Sequence, residues 1–133
     1  MIPNGMGLSP EGDRLYVSET YVGNIDVWDV VGPGRLANRR VLFNDGGEHG
    51  WDGLAIDGAG NVCASNLAAS GVSVITPDGE EIARFVTPVY DSYITNVCFG
   101  GPDGDTAYIC SAGRGILYSV KWPWGGLRLH FAR

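Results

Sequence analysis

Short runs in which apolar and polar residues alternate follow one another along the whole chain, and glycine or proline separates most of them. Alternation over about four to eight residues is typical of a strand with one buried face, whereas a helix would show a period of about 3.6 residues. No stretch of ten residues has the helical period. With 21 glycines and 7 prolines spread along the sequence, the pattern predicts an all-β protein with many tight turns.

Three segments of the chain repeat one order of residues: a polar residue, an apolar strand, a turn and a second strand. The opening polar residues, at spacings of 48 and 44, are Asn4, Asp52 and Asn96. The centres of the second strands, at spacings of 46 and 46, are Tyr16, Val62 and Tyr108. Small differences in spacing belong to the turns, where insertions cost least.

Each repeat continues with a third strand and a weaker fourth strand. The predicted third strands cover residues 24–30, 71–76 and 116–122, and the fourth strands cover 38–43, 80–87 and 127–131. Four short strands every 40 to 50 residues or so are typical of the blades of a β-propeller. We therefore expect one partial propeller domain over residues 1–133, with blades at approximately 1–47, 48–91 and 92–133.

Three blades do not close a ring, because propellers contain about four to eight of them. Two explanations stay open: the chain is part of a longer protein, or two copies pair to complete the ring. The first is preferred, because Asn4–Gly5 opens an inner strand almost at the start of the chain.

Charge and cysteine content exclude several classes of function. The formal net charge of −6 disfavours binding to a phosphate backbone, so no nucleic-acid partner is expected. No apolar run approaches the roughly 18 residues of a membrane span, and no signal peptide is visible. The odd count of three cysteines, without a short CxxC spacing, predicts free thiols in a reducing compartment. A cytoplasmic location is expected.

Four runs resemble, in order, motifs of the gluconolactonase/senescence-marker-protein (regucalcin) family. They are PNGM at 3–6 with LYVSET at 15–20, NRRVLF at 38–43, DGLAIDGAGN at 52–61 and TNVCFGGPD at 95–103. The resemblance covers nearly the whole chain and corresponds to the C-terminal half of the family's members. It implies a six-bladed β-propeller with one divalent metal, Ca²⁺ or Zn²⁺, in its central channel. It also implies metal-dependent hydrolysis of a small-molecule sugar lactone.

The resemblance also implies which residues form the site. Asn4 and Asp52 fall on the two metal ligands of the C-terminal half, while a Glu and an Asn ligand would lie in blades that the chain lacks. Amide and carboxylate oxygens are hard ligands that suit Ca²⁺ and are tolerated by Zn²⁺. The chemistry of lactone hydrolysis makes Asp52 the candidate catalytic base as well. Asn96 is the candidate substrate-binding residue because it opens the third repeat, and a structural role at the strand start is the alternative. Trp51 departs from the proline that many members have before the aspartate.

Simpler interpretations exist for each motif. Asn-Gly and Asp-Gly are common turn dipeptides, and we interpret Asp57, Asp78 and Asp103 as turn residues only. Glu48 and His49 precede Asp52 and suggest a metal loop, although a solvated loop is the simpler reading.

The apolar run 122–124 contains two tryptophans, which fit either a strand edge or a sugar-binding surface. Two other functions also stay open for the protein. One is a non-catalytic calcium-binding or ligand-binding propeller, and the other is a related propeller esterase acting on another ester, such as an organophosphate.

Overall fold

The computed structural model describes residues 2–47 and 50–129 and contains only strands, turns and loops there. The first eight strands are β1 (Pro3–Leu8), β2 (Arg14–Glu19), β3 (Asn24–Gly32), β4 (Arg35–Asn44), β5 (Trp51–Ile56), β6 (Val62–Asn66), β7 (Gly71–Ile75) and β8 (Glu81–Val86). The last three are β9 (Ile94–Gly100), β10 (Thr106–Ser111) and β11 (Ile116–Lys121). In this part of the chain we find no helix with the length and apolar character needed to cross a membrane.

The strands form three antiparallel meanders, which we call sheets 1, 2 and 3. Sheet 1 has the order β1-β2-β3-β4, sheet 2 the order β5-β6-β7-β8, and sheet 3 the order β11-β10-β9. This confirms the predicted all-β fold of successive blade-like sheets.

The fourth strand predicted over residues 127–131 of sheet 3 is absent from the described part of that range. Leu127–Leu129 are not in a strand, and residues 130 and 131 lie outside the described residues. The reason is a turn after β11: Gly126 N donates to Gly104 O at 2.7 Å and Gly58 N donates to Gly125 O at 2.9 Å. These bonds lead the chain to the end of β5 instead of along β11.

The sheets stack face to face, and the core consists of the two layers between them. The layer between sheets 1 and 2 contains Tyr16, Ile25, Val27, Trp51, Leu54, Ile56, Val62, Ala64 and Ile75. The layer between sheets 2 and 3 contains Cys63, Val72, Val74, Ile94, Val97, Ala107, Ile109 and Trp122. Neighbouring positions 62, 63 and 64 alternate between the layers, as the pleat of a strand requires.

The first strands of the three sheets lie side by side: β1 contacts β5, and β5 contacts β9. They are therefore the inner strands, next to the axis on which a propeller would close. In each sheet, the first strand begins at the same end of the sheet as the turn that connects the second strand to the third. That end, which we call the site end, also carries the connections from one sheet to the next.

The three cysteines are free, as predicted. Cys63 is buried between sheets 2 and 3, and this burial raises the pKa of its thiol far above the usual value. Because only a thiolate binds metal or attacks an electrophile well, Cys63 is a packing residue.

Candidate functional site

Each inner strand begins with a β-bulge, in which two residues face one residue of the second strand. In sheet 1, Pro3 pairs with Glu19 and Met6 with Val17, which leaves Asn4–Gly5 opposite Ser18. The corresponding pairs of sheet 2 leave Asp52–Gly53 opposite Ser65, and those of sheet 3 leave Thr95–Asn96 opposite Cys110. Bulges of this kind redirect side chains and occur often beside functional sites.

The bulges define which residues are equivalent among the sheets. Asn4 and Asp52 occupy the same position, as the sequence spacing predicted. In sheet 3 this position belongs to Thr95, while Asn96 occupies the position of Gly5 and Gly53. The predicted alignment of Asn96 with the other two is therefore displaced by one residue, and its role in substrate binding stays a prediction.

Two glycines that the sequence analysis did not single out bring the bulges together. A Cβ atom on Gly53 would lie 2.6 Å from Asn96 Oδ1 and 2.7 Å from Thr95 O. A Cβ atom on Gly5 would lie 2.7 Å from Asp52 O. Such distances exclude any side chain, so both positions need glycine for close approach of the backbones. Asn4, Asp52 and Asn96 are consequently carried on three adjoining strands.

Gly53→Ala should lower the free energy of unfolding by about 1–3 kcal/mol, because β5 and β9 would have to move apart. The measurement is urea unfolding followed by tryptophan fluorescence. Gly100→Ala is the matched control, since its added methyl would meet only Tyr108 Cε2, at an ordinary 3.5 Å. Equal losses in the two variants would show that the close approach of the bulges is unimportant.

The Ser18 hydroxyl connects the first two bulges. It accepts a hydrogen bond from Gly5 N at 2.8 Å and donates one to Asp52 O at 2.5 Å. Asn4 is oriented by its own bond, from Nδ2 to Thr20 Oγ1 at 3.3 Å. One hydroxyl of sheet 1 thereby connects the backbone of the bulge that carries Asn4 to the backbone of Asp52 in sheet 2.

The oxygen atoms of Asn4 and Asp52 fit a hard divalent cation. Within residues 2–47 and 50–129, neither the Asn4 amide oxygen nor the Asp52 carboxylate accepts a hydrogen bond. Asn4 is exposed and Asp52 half-buried, so both oxygens are accessible. No group of three or more His, Cys, Asp or Glu side chains among these same residues could hold a metal. The pair would therefore provide part of a ligand set, and the predicted loop residues Glu48 and His49 lie outside the described residues.

Trp51, the departure from the family pattern, points away from this pair. Its indole is fully buried in the layer between sheets 1 and 2, where Nε1 donates to Gly23 O at 2.9 Å. Its ring meets that of Phe43 edge-on, with centroids 6.0 Å apart. The departure from proline consequently adds a buried aromatic ring to the core between sheets 1 and 2.

At the opposite end, Asp57 does more than form a turn. Its buried carboxylate accepts hydrogen bonds from Ala59 N, Asn61 N, Asn61 Nδ2 and, at 3.2 Å, from Trp122 Nε1 of sheet 3. Trp122 is itself buried, so the sugar-binding alternative is wrong for this residue. Complete burial is the signal that distinguishes Asp57 from exposed Asp78 and Asp103.

Comparisons with known proteins show similarity over most of the chain. Residues 1–113 match the sequence profile of the SMP-30/Gluconolactonase/LRE-like region. A pentonolactonase of Haloferax volcanii is 32% identical over 114 residues, which cover 84% of this chain and 38% of that protein. The diisopropyl-fluorophosphatase of Loligo vulgaris is 31% identical over 130 residues, which cover 93% of this chain and 41% of that protein.

A solved gluconolactonase of Xanthomonas campestris superposes with a TM-score of 0.74 at 26% identity, over 91% of this chain and 38% of that chain. The chain thus spans about two fifths of the length of each of these relatives.

Proposed function

Because the chain belongs to the SMP-30/gluconolactonase/LRE-like family, we propose that the protein, in a form with a complete ring of blades, hydrolyses a sugar lactone with the help of a divalent cation. The observation that carries the proposal is the pair of free hard oxygens on equivalent bulges of β1 and β5. Lactonases among the relatives support the reaction class.

Asn4 and Asp52 would hold the cation through an amide and a carboxylate oxygen. A cation bound there polarises a carbonyl group and lowers the pKa of a coordinated water. Asp52 would also accept the proton that the attacking water loses. The water oxygen would join the lactone carbonyl carbon and the ring C–O bond would break. Asp52 would return the proton to the ring oxygen, which leaves as a hydroxyl group. The product is an open-chain sugar acid.

The remaining cation ligands and substrate contacts would come from further blades, or from a second copy of this chain. The faces of sheets 1 and 3 that point away from sheet 2 expose apolar side chains, which supports contact with further protein. Met6 is 64% exposed on sheet 1, and Leu117 is 78% exposed on sheet 3. Apolar side chains exposed at this level on open sheets favour contact with further protein.

The test is hydrolysis of D-glucono-1,5-lactone by the protein in its complete form, before and after treatment with EDTA. The rate should fall at least tenfold on chelation and return when Ca²⁺ or Zn²⁺ is added back. A rate that EDTA leaves unchanged would contradict the role of the cation. Ca²⁺ binding without any turnover would instead support the non-catalytic calcium-binding alternative.

A second candidate reaction is hydrolysis of an organophosphate, favoured by the similarity to diisopropyl-fluorophosphatase. The oxygens of Asn4 and Asp52 would serve either reaction, so they do not distinguish the two substrates. Parallel assays with the lactone and with diisopropyl fluorophosphate do so, through the ratio of the two kcat/KM values. A higher kcat/KM for diisopropyl fluorophosphate than for the lactone would make organophosphates, instead of lactones, the substrate class.

A further inference from the structure

Two tyrosines are exposed on the connection from β8 to β9, at the site end. Tyr90 is 61% exposed and Tyr93 is 59% exposed. Tyr93 directly precedes β9 and lies two residues before Thr95, the equivalent of Asp52. Its carbonyl oxygen accepts a hydrogen bond from Ala112 N at 2.8 Å, which fixes it beside the turn between β10 and β11. The backbone of Tyr93 therefore lies at the start of an inner strand, and Tyr90 lies three residues before it on the same connection.

The connection that carries these rings is held by a buried carboxylate. Asp91 accepts hydrogen bonds from Ser111 Oγ at 2.5 Å, from Tyr93 N at 2.9 Å and from Arg114 N at 3.1 Å. The hydrogen bond from Ser111 is the main cause that lowers the pKa of Asp91, so the carboxylate stays charged at neutral pH. The exposed rings thus project from a fixed backbone.

A second set of bonds fixes the other side of the connection. Ser70 Oγ accepts from Asp91 N at 2.8 Å and lies 2.7 Å from Thr87 Oγ1. Ser70 has a φ of 53°, at the turn position where the other sheets have Gly23 and Gly115, and its hydroxyl is fully buried. A positive φ is unfavourable for a residue other than glycine, so the Ser70 side chain has a specific structural role, which here is to hydrogen-bond Asp91 and Thr87.

Arg114 completes the surface. Its Nε donates to Tyr90 O at 2.7 Å, which places the guanidinium next to that tyrosine. Among the ion pairs of the described residues none involves Arg114, although the protein as a whole is acidic. Its terminal nitrogens are therefore available as hydrogen-bond donors to a ligand.

We propose that Tyr90, Tyr93 and Arg114 form a recognition subsite for the sugar part of the substrate, at the site end of sheets 2 and 3. This inference rests on the proposed lactonase function and adds the residues that select a polyhydroxylated substrate. The tyrosine rings offer apolar faces to the C–H groups of a sugar, and their hydroxyls and the guanidinium offer bonds to its oxygens. Because Asp91 fixes the loop before the ligand arrives, little ordering is needed on binding.

The test compares Tyr93→Leu and Tyr90→Leu with Tyr21→Leu, in the protein with a complete ring of blades. Tyr21 is a matched control, since it is 75% exposed and lies on the β2–β3 turn at the same end. We expect each of the first two variants to raise KM for D-glucono-1,5-lactone about tenfold, with kcat changed less than about threefold. Tyr21→Leu should leave both constants within about twofold. Tyr93→Phe should retain most of the affinity, because the ring faces remain.

A readout without turnover separates this inference from the proposed function. Saturation-transfer NMR with D-gluconate should show binding to the wild type, weaker binding to Tyr93→Leu and unchanged binding to Tyr21→Leu. If gluconate binds in this way but no lactone is hydrolysed, the proposed reaction fails and the sugar subsite stands. If Tyr93→Leu and Tyr90→Leu match Tyr21→Leu in KM and in gluconate binding, the subsite is overturned. Thermal unfolding midpoints check that all variants are folded.

Discussion

Asp52→Asn, in the protein with a complete ring of blades, is expected to lower kcat for lactone hydrolysis by about a thousandfold or more. The amide removes the negative charge that a divalent cation prefers and cannot take a proton from water. Asp52 also lies on a bulge that Gly53 and Ser18 hold in place, so an amide of the same shape should leave the backbone unchanged. The measurement is steady-state kinetics with D-glucono-1,5-lactone at saturating Ca²⁺ or Zn²⁺. Activity retained within about tenfold of the wild type would remove Asp52 from the chemistry.

Cation binding separates the two tasks assigned to Asp52. If the carboxylate is a ligand, calorimetry should show that Asp52→Asn weakens Ca²⁺ binding by about tenfold or more, whereas a base alone would leave binding intact. Asp78→Asn is the matched control, since Asp78 also precedes a glycine in sheet 2 but is exposed at the opposite end. Asp78→Asn should change neither kcat nor cation affinity. A loss in both variants would point to the overall charge of the protein as the cause.

The strand order could be read from the sequence because each turn carries its own chemistry. Glycine, proline and aspartate stand between alternating runs, and the interval of 46 residues between second strands repeats twice. Strand existence follows from such local signals, since alternation and turn residues act over a few positions. The motif residues Asn4 and Asp52 were likewise found from their place at the start of a strand, and they occupy equivalent bulges.

The bulge explains why Asn96 of sheet 3 is displaced by one residue from the position that the sequence predicted. One extra residue in a strand shifts the following positions by one, and nothing in the run Thr95–Asn96–Val97 marks where the shift occurs. The hydrogen-bond register instead depends on the partner strand, which the sequence does not identify residue by residue. The absence of the predicted fourth strand from the described residues of sheet 3 has a similar cause. Leu127–Leu129 alternate as a strand would, but tertiary contacts of Gly125 and Gly126 draw the chain to β5.

Asp57 shows the same limit of prediction from sequence, because Asp-Gly signals a turn whether or not the carboxylate is buried.

The tertiary role of Asp57 produces a second large expected effect. Asp57→Ala should lower the free energy of unfolding by about 3–4 kcal/mol, since it leaves Asn61 and the Trp122 indole N–H without their shared acceptor. The contacts of Trp122 with Phe85 and Phe99, at centroid distances of 4.3 and 5.3 Å, keep its indole in place, so the donor cannot turn towards solvent. Urea unfolding followed by tryptophan fluorescence gives the loss.

The control for this prediction is Asp103→Ala, which alters an exposed Asp-Gly turn at the same end of sheet 3 and should cost less than about 0.5 kcal/mol. A double-mutant cycle with Trp122→Phe isolates the bond between sheets, because phenylalanine keeps an aromatic ring and lacks the N–H. The coupling should be about 0.5–3 kcal/mol, as expected for residues in contact. A coupling near zero would mean that Asp57 stabilises only its own turn. A positive coupling would mean that sheets 2 and 3 are joined by one buried acceptor, at the end opposite to the bulges that carry Asp52 and Asn96.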